Sequence, residues 1–145
     1  MKLVETWSMN RFYTIGYWGW RDVREFIEFL KDLGIRILVD VRRFPRSKNS
    51  GFNRENLEAE LNKHTMRYVF MGETLGGYQR GGYEKYTQSE AYKEGIRKLH
   101  ELAEEGNLAI MCLERSHRYC HRRFISETLE KMGVKAVHLD ARAKD

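Results

Sequence analysis

Short apolar runs alternate along the chain with stretches in which apolar residues recur every three or four positions. The runs predict β-strands, and the three-to-four spacing predicts amphipathic helices. The predicted helices lie between the strands, so the two kinds of element alternate. Strands are expected at Phe12–Tyr17, Ile35–Val41, Met66–Met71, Leu108–Leu113 and Val134–Leu139.

Four helices are predicted between these strands. The first ends at Gly34, and the second begins after Asn53. The third opens with a capping box at Thr87 and Glu90, and the fourth begins at Ser116. The residues predicted to face the core are Val23, Phe26, Ile27, Leu30 and Leu33 in the first helix, Leu57 and Leu61 in the second, Tyr92, Ile96, Leu99, Leu102 and Ala103 in the third, and Phe124, Ile125, Leu129 and Met132 in the fourth.

This alternation predicts an α/β fold. Strands that are apolar on both faces and separated by helices indicate a mostly parallel five-stranded sheet with helices on both faces, a Rossmann-like doubly wound arrangement. We expect residues 1–145 to form a single domain, with residues 1–10 as a flexible N-terminal segment. In such folds the loops after the strand carboxyl ends gather at one edge, where ligands bind.

Composition narrows the class of protein. Of the 145 residues, 41% are hydrophobic, as in folded globular proteins. No stretch approaches about 18 consecutive apolar residues, and the N-terminus lacks the apolar core of a signal peptide. We therefore expect a cytoplasmic protein with no membrane partner. The 32% of charged residues and the scarcity of glutamine are mildly typical of thermophilic proteins.

The basic charge is concentrated where ligands are expected. The formal net charge is +5, which favours an anionic partner. The loop after the second strand, 42–53, carries four basic residues and no acidic one, and the segment 114–123 carries four arginines and one glutamate. The sequence therefore predicts an anion-binding pocket at the carboxyl edge of the sheet.

Both cysteines of the chain, Cys112 and Cys120, lie in the segment 109–124. Thiols are normally reduced inside cells, so a disulfide is the less favoured interpretation, although thermophilic proteins sometimes keep one. Cys112 is near the end of a predicted buried strand, where cysteine usually packs as a small apolar residue. Cys120 falls in the first turns of the fourth helix beside His121, where the helix N-terminus and neighbouring cations stabilise a thiolate.

Two other interpretations of this segment compete. A zinc site would use both cysteines with His117 and His121, but the compact Cys-x-x-Cys spacing is absent and the nearby arginines oppose a cation. No metal site and no cofactor are therefore predicted, with zinc as the weaker alternative. The run from Cys112 to Arg118 also spells Cys-x5-Arg, a phosphate-loop pattern. Glu114 inside that loop opposes a phosphate, so we treat the match as accidental.

Two carboxylates follow predicted strands and are candidates for acid–base chemistry. Asp40 lies in an otherwise apolar strand, so it needs a partner, for which Arg42 and Arg122 are the candidates. Glu114 occupies the equivalent place after the fourth strand. The pair could act as acid and base, or could orient arginines.

A glycine–tyrosine segment, 75–86, forms the longest predicted irregular stretch. Its Tyr78, Tyr83 and Tyr86 alternate with glycines and with Arg80. Interleaved aromatic and basic residues suit nucleobases and phosphates. The alternative is a surface flap that binds nothing.

The segments TIGYWGW, LVDVRRFPRS, FN, LGG and MCLERSHRYCHR resemble domain-of-unknown-function family 488, over about Phe12–Leu139. The resemblance implies a small α/β domain and supplies no established reaction. Trp18 departs from the pattern, where a small polar residue is expected. The family's motif positions fall on Gly16, Asp40, Arg42, Pro45, Gly76, Gly77, Cys112, Glu114, Cys120, His121 and Arg122.

Three functions remain open. The favoured one is an enzyme, a hydrolase or transferase, acting on a phosphate-bearing substrate such as a nucleotide or nucleic-acid component. The alternatives are a non-catalytic nucleic-acid-binding module and a metal-supported structural domain. The candidate catalytic residues are Cys120, His121, Asp40 and Glu114, and the candidate substrate-binding residues are Arg42, Arg46, Arg122, Arg118, Gly16, Tyr78, Tyr83, Tyr86 and Cys112.

Overall fold

The computed structural model describes residues 10–77, 79–114 and 120–139. Five strands form one sheet, as the apolar runs predicted. The flexible segment predicted for residues 1–10 lies, apart from Asn10, outside the described residues. The strands are β1 (Phe12–Gly16), β2 (Ile37–Asp40), β3 (Arg67–Phe70), β4 (Leu108–Cys112) and β5 (Ala136–Leu139).

All four strand pairings are parallel, in the order β3-β2-β4-β1-β5. The central strand β4 pairs with β2 on one side and with β1 on the other. In this register Gly16 lies opposite Cys112, and Asp40 lies opposite Met111. The carboxyl ends of β1, β2 and β4 therefore meet at one edge of the sheet.

Six helices surround the sheet in the described part of the chain. Helices α3 and α4 are single turns, the first just before and the second within the predicted glycine–tyrosine segment, and α5 is the longest helix. A 3₁₀ turn at Ser50–Phe52 precedes α2. The helices are α1 (Val23–Asp32), α2 (Arg54–Lys63), α3 (Gly72–Leu75), α4 (Tyr83–Tyr86), α5 (Glu90–Glu105) and α6 (Arg122–Lys131).

Some predicted helix ends differ from the structure. Helix α5 is capped by Ser89, whose side chain accepts the backbone N–H of Tyr92, and not by the predicted Thr87. Thr87 instead ends α4, because its backbone N–H bonds the last turn of that helix. The predicted cap Ser116 lies outside the described residues, and α6 begins at Arg122, so Cys120 precedes that helix.

The helices divide between the two faces of the sheet. Side chains of α1 and α2, among them Phe26 and Leu61, pack with Leu38 and Ala109 on one face. Helices α5 and α6 cover the other face, where Leu99 packs with alternate strand residues. Full burial of such a side chain contributes about 1.5–3 kcal/mol. Met132, predicted to face inward, is 46% exposed because it follows the end of α6.

The chain therefore winds in two directions, which confirms the doubly wound prediction. The connections after β1 and β2 run through α1 and α2 on one face, whereas the connection after β4 runs through α6 on the other. Loops that leave neighbouring strands toward opposite faces open a crevice between them. Among the described residues, none of the helices has the length and hydropathy that a membrane span requires.

Candidate functional site

A cavity of about 480 Å³ opens at the carboxyl edge of the sheet. It lies where β4 ends between β1 and β2, which is the crevice that the winding of the chain creates. The size suits a small-molecule ligand, since ligand pockets commonly enclose about 300–1,000 Å³. Its lining residues are Tyr17, Arg42, Arg43, Phe44, Arg46, Gly77, Tyr83, Cys112, Leu113, Glu114, Cys120 and His121.

The carboxylate of Asp40 fixes Arg42 at the wall of the cavity. Arg42 donates Nε–H to Oδ1 at 2.9 Å and Nη2–H to Oδ2 at 2.7 Å, and its backbone N–H reaches Oδ1 at 3.1 Å. The Tyr68 hydroxyl donates to Oδ2 at 2.6 Å. Asp40 is fully buried and Arg42 is 5% exposed. Arg42 is thus the partner of Asp40, and Asp40 lies behind Arg42 and does not line the cavity.

The Arg42 guanidinium keeps donors for a ligand. Burial works to lower the pKa of Arg42, but the hydrogen bonds and charge of Asp40 outweigh it and raise that pKa. A guanidinium carries five N–H groups. Two bond Asp40 and one bonds the Tyr17 hydroxyl at 3.3 Å among the described residues. Two N–H groups of this cavity-lining residue therefore have no partner among the described residues.

Cys112 and Cys120 meet at the base of the cavity, and the structure joins their sulfur atoms as a disulfide. This departs from the expectation of two reduced thiols. Their Cα atoms are 7.6 Å apart. Both residues are buried, and the Cys120 sulfur accepts the backbone N–H of Arg122 at 3.4 Å, at the start of α6.

His121 presents an unprotonated nitrogen to the Cys120 sulfur. Its Nε2 lies 2.9 Å from the Val41 carbonyl oxygen, which can only accept, so Nε2 carries the proton. Nδ1 is then a lone-pair nitrogen, 3.7 Å from Cys120 Sγ. Burial lowers the pKa of His121 to about 4. A Cβ on Gly77 would lie 3.2 Å from Nδ1, so glycine keeps the space beside this nitrogen open.

Arg122 and Glu114 occupy different depths. Arg122 is fully buried, donating to Thr14 Oγ1 at 3.0 Å and to the Glu114 backbone carbonyl at 2.7 Å. These two hydrogen bonds connect the loop after β4 to β1. Arg122 does not line the cavity. The Glu114 side chain is exposed at the cavity rim.

Tyr83 and Tyr86 pack inward rather than presenting a stacking surface. Tyr83 donates its hydroxyl to the Leu75 carbonyl and Tyr86 donates to the Thr74 carbonyl, at 2.9 and 2.7 Å. Desolvation by burial raises the pKa of Tyr83. Its ring packs against His121, with centroids 5.1 Å apart, so it lines the cavity wall. Tyr86 lies behind it.

Of the remaining candidate binding residues, the structure describes two and leaves two undescribed. Gly16 sits opposite Cys112 in the sheet, and Arg46 is exposed at the cavity rim. Tyr78 and Arg118 lie outside the described residues, as does His117 of the alternative zinc site.

Sequence reasoning missed part of the rim. Phe44 lines the cavity and is 65% exposed, and Arg43 lies beside it with its guanidinium carbon 5.7 Å from the Phe44 ring centroid. Trp18 is 55% exposed and donates its backbone N–H to the Leu113 carbonyl at the same edge. Of these residues, Phe44 was the one left out of the sequence-based candidates, and an aromatic residue just after the second strand was the available signal. Trp18, after the first strand, was expected to add aromatic surface to this edge.

A second cavity, also about 480 Å³, lies at the amino end of the sheet. Its wall mixes charges of both signs, including Arg11, Lys135 and Glu104. It contains neither cysteine, and it is remote from the crevice. The carboxyl-edge cavity, with three arginines against one glutamate, is therefore the better candidate for an anionic ligand.

The fold and this cavity define a class of protein: a doubly wound parallel α/β protein with a ligand-sized cavity at the switch in its winding. The chain belongs to the family described as Domain of unknown function DUF488, whose model matches residues 22–129. This span includes Asp40, Arg42, Cys120 and His121, whereas Gly16 and Trp18 precede it. Comparison with curated proteins returned no match, and comparison with solved structures returned none.

Proposed function

We propose that the protein is an enzyme, a hydrolase or transferase, that acts on a phosphate-bearing substrate in the carboxyl-edge cavity. The substrate class that the cavity suits is a nucleotide or a nucleic-acid component. The observation that carries the proposal is the buried Arg42, fixed by Asp40, on the same cavity wall as Cys120 and His121.

Arg42 supplies a rigid anion anchor. Its two remaining N–H groups match two oxygens of one phosphate, a geometry that favours arginine over lysine. Because Asp40 and Tyr17 already orient the guanidinium, little conformational entropy is lost when a ligand binds. Arg46 and Arg43 at the rim add positive charge where a second phosphate or a backbone would leave the cavity.

The exposed aromatic rim supports a nucleobase at the cavity mouth. Phe44 stands beside the arginines, and Trp18 lies at the same edge. Stacking of a base on an exposed aromatic ring contributes about 1–3 kcal/mol. The ring surface expected from the tyrosine segment is thus supplied instead by the residues that follow β1 and β2.

The groups that could carry chemistry lie next to the anion anchor. Cys120 and His121 are in contact and line the cavity, and Glu114 stands at its rim as the candidate acid or base. Asp40 has a positioning role, since both of its oxygens are occupied by Arg42 and Tyr68.

Calorimetric titration with adenosine 5′-monophosphate tests the binding part of the proposal. Arg46→Ala is expected to weaken binding by roughly 10-fold or more, the value of a charge-assisted hydrogen bond. Phe44→Ala should weaken binding of the nucleotide but not of ribose 5-phosphate, which has no base. Arg97→Ala, a change on the outer face of α5, is the matched control. Equal affinity for adenosine and its monophosphate contradicts the phosphate anchor.

Release of phosphate or nucleotide from mononucleotides and short oligonucleotides tests the catalytic part. Cys120→Ser and Glu114→Gln should each lower turnover while leaving binding within a few-fold of wild type. The non-catalytic nucleic-acid module predicts the opposite pattern: salt-sensitive binding to oligonucleotides, no turnover, and no effect of Cys120→Ser. That pattern refutes the enzyme.

A further inference from the structure

We propose that in the reduced protein Cys112, Cys120 and His121 hold one zinc ion, with its fourth coordination position open to the carboxyl-edge cavity. Two thiolates and one imidazole with an open position form a ligand set found in catalytic zinc sites. The proposal concerns residues that were expected to act without a metal.

The three donor atoms are clustered, and Cys120 and His121 already have the spacing of two ligands of one ion. Cys112 Sγ, Cys120 Sγ and a ring nitrogen of His121 all lie within 4.8 Å of one another. Zinc–sulfur and zinc–nitrogen bonds of about 2.3 and 2.05 Å at tetrahedral angles put sulfur and nitrogen about 3.6 Å apart. The observed separation of Cys120 Sγ from His121 Nδ1 is 3.7 Å.

The backbone also separates the cysteines in a way that suits an ion between them. Their Cα atoms are 7.6 Å apart, whereas most disulfides join Cα atoms about 4.4–6.8 Å apart. An ion between two thiolates spreads the sulfurs to about 3.8 Å, which a wider backbone separation accommodates.

Contacts behind the donors are those of a metal site. A zinc-bound histidine usually donates its other ring N–H to a carbonyl or carboxylate, as His121 Nε2 does to Val41. The Arg122 backbone N–H points at Cys120 Sγ, where it would stabilise a bound thiolate. Gly77 leaves the space beside Nδ1 without a side chain.

The charge of Arg42 does not oppose this ion. Two thiolates cancel the charge of Zn²⁺, and Asp40 balances Arg42. The repulsion expected between arginines and a cation is reduced because the two thiolates neutralise the bound ion.

The proposal deepens the proposed function and rests on it for the role of the ion. The open position would face the cavity that Arg42 and Glu114 line. A zinc-bound water there can supply a nucleophile near neutral pH, next to a phosphate held by arginine.

Zinc can bind only after the disulfide has been reduced. A dithiol reductant adds two electrons and two protons to the Cys112–Cys120 disulfide and is itself oxidised to a disulfide. Zn²⁺ then replaces the two thiol protons, which pass to solvent.

The test uses full-length protein that is reduced with dithiol, freed of metal by chelation and kept without oxygen. Titration with Co²⁺ should give intense thiolate-to-cobalt charge transfer and tetrahedral ligand-field bands that saturate at one equivalent. Zn²⁺ should displace the cobalt. Cys112→Ser, Cys120→Ser and His121→Ala should each weaken binding at least 10-fold, whereas His100→Ala, a histidine paired with Glu104 on α5, should not.

Two results overturn the metal site: no cobalt bands in fully reduced wild type, or bands that survive both serine variants. Circular dichroism of each variant establishes that it is folded, so that loss of binding is local. The metal site and the proposed function fail separately. Metal-free wild type that binds adenosine monophosphate but not cobalt refutes only the metal. Protein that binds cobalt stoichiometrically but no nucleotide refutes only the proposed substrate.

Discussion

Replacing Asp40 with asparagine should destabilise the protein severely. The variant keeps the side-chain volume but removes the negative charge that faces the buried Arg42 guanidinium. In wild type, Arg42 and Tyr68 both donate to Oδ2 of Asp40. The asparagine amide would instead direct its own N–H groups against one of these donors. The pair is a buried and doubly hydrogen-bonded unit, so breaking it is costly.

Removing one partner of a buried ion pair costs about 3–5 kcal/mol. The entire unfolding free energy of a domain is about 5–15 kcal/mol. For Asp40→Asn we expect a loss of about 4 kcal/mol, which corresponds to a fall in Tm of roughly 12 °C at this chain length. Arg42→Met should cost a similar amount, because it leaves the Asp40 carboxylate without its cation.

Urea unfolding followed by far-ultraviolet circular dichroism measures these losses, with every variant in the same redox state. The double variant Asp40→Asn/Arg42→Met should be no less stable than either single variant, since it buries no unmatched charge. Arg67→Gln, which breaks the exposed pair with Glu105, is the control and should cost at most about 1 kcal/mol. A loss below about 1 kcal/mol for Asp40→Asn, or strict additivity in the double variant, refutes the reasoning.

Three further outcomes follow from contacts away from this pair. Gly76→Ala should lower the free energy of unfolding by about 1–3 kcal/mol in urea unfolding, because the new Cβ would lie 2.8 Å from the Cα of Arg43. The control Gly106→Ala places its Cβ 3.9 Å from the nearest atom and should change that free energy by less than about 0.5 kcal/mol. Equal effects of the two variants would contradict this packing. Burial, and after it the charge of Asp40, raises the pKa of Tyr68, so the folded state keeps a proton that the unfolded state loses above pH 10. The free energy of unfolding should therefore fall above pH 10, by about 1.4 kcal/mol per pH unit more in wild type than in Tyr68→Phe. Parallel pH profiles of the two proteins would be the contrary result. Tyr92→Phe removes hydroxyl contacts to α6 at 2.7 and 3.2 Å and should cost about 1 kcal/mol in thermal unfolding; an unchanged Tm would argue against those bonds.

The strands and the edge that carries the cavity were predictable because both depend on local patterns. Parallel strands bring all their carboxyl ends together, so residues after β2 and β4 could be assigned to one edge from the sequence. Family resemblance marked the same positions, among them Arg42 and Cys120. No knowledge of the strand order was needed for either step.

What could not be predicted depends on contacts between distant parts of the chain. Arg42 and Arg122 were equal candidates to pair with Asp40, and the position of Thr14 in the sheet draws Arg122 away. The protonated nitrogen of His121 is decided by the Val41 carbonyl, 80 residues earlier. The orientation of Tyr83 depends on a backbone carbonyl that its hydroxyl satisfies. No periodicity or spacing reports such partners.

The order of the strands sets when the protein can fold during its synthesis. The neighbours of β1 are β4 and β5, which the ribosome makes after β2 and β3, and β2 meets β4 only then. A nascent chain that ends before Leu108 can pair β2 with β3 but leaves β1 with neither of its partners. The cavity cannot exist in such an intermediate, because the strand that carries Cys112 is the piece that closes the sheet. Chaperone binding to nascent chains should therefore persist until β4 and β5 have left the exit tunnel.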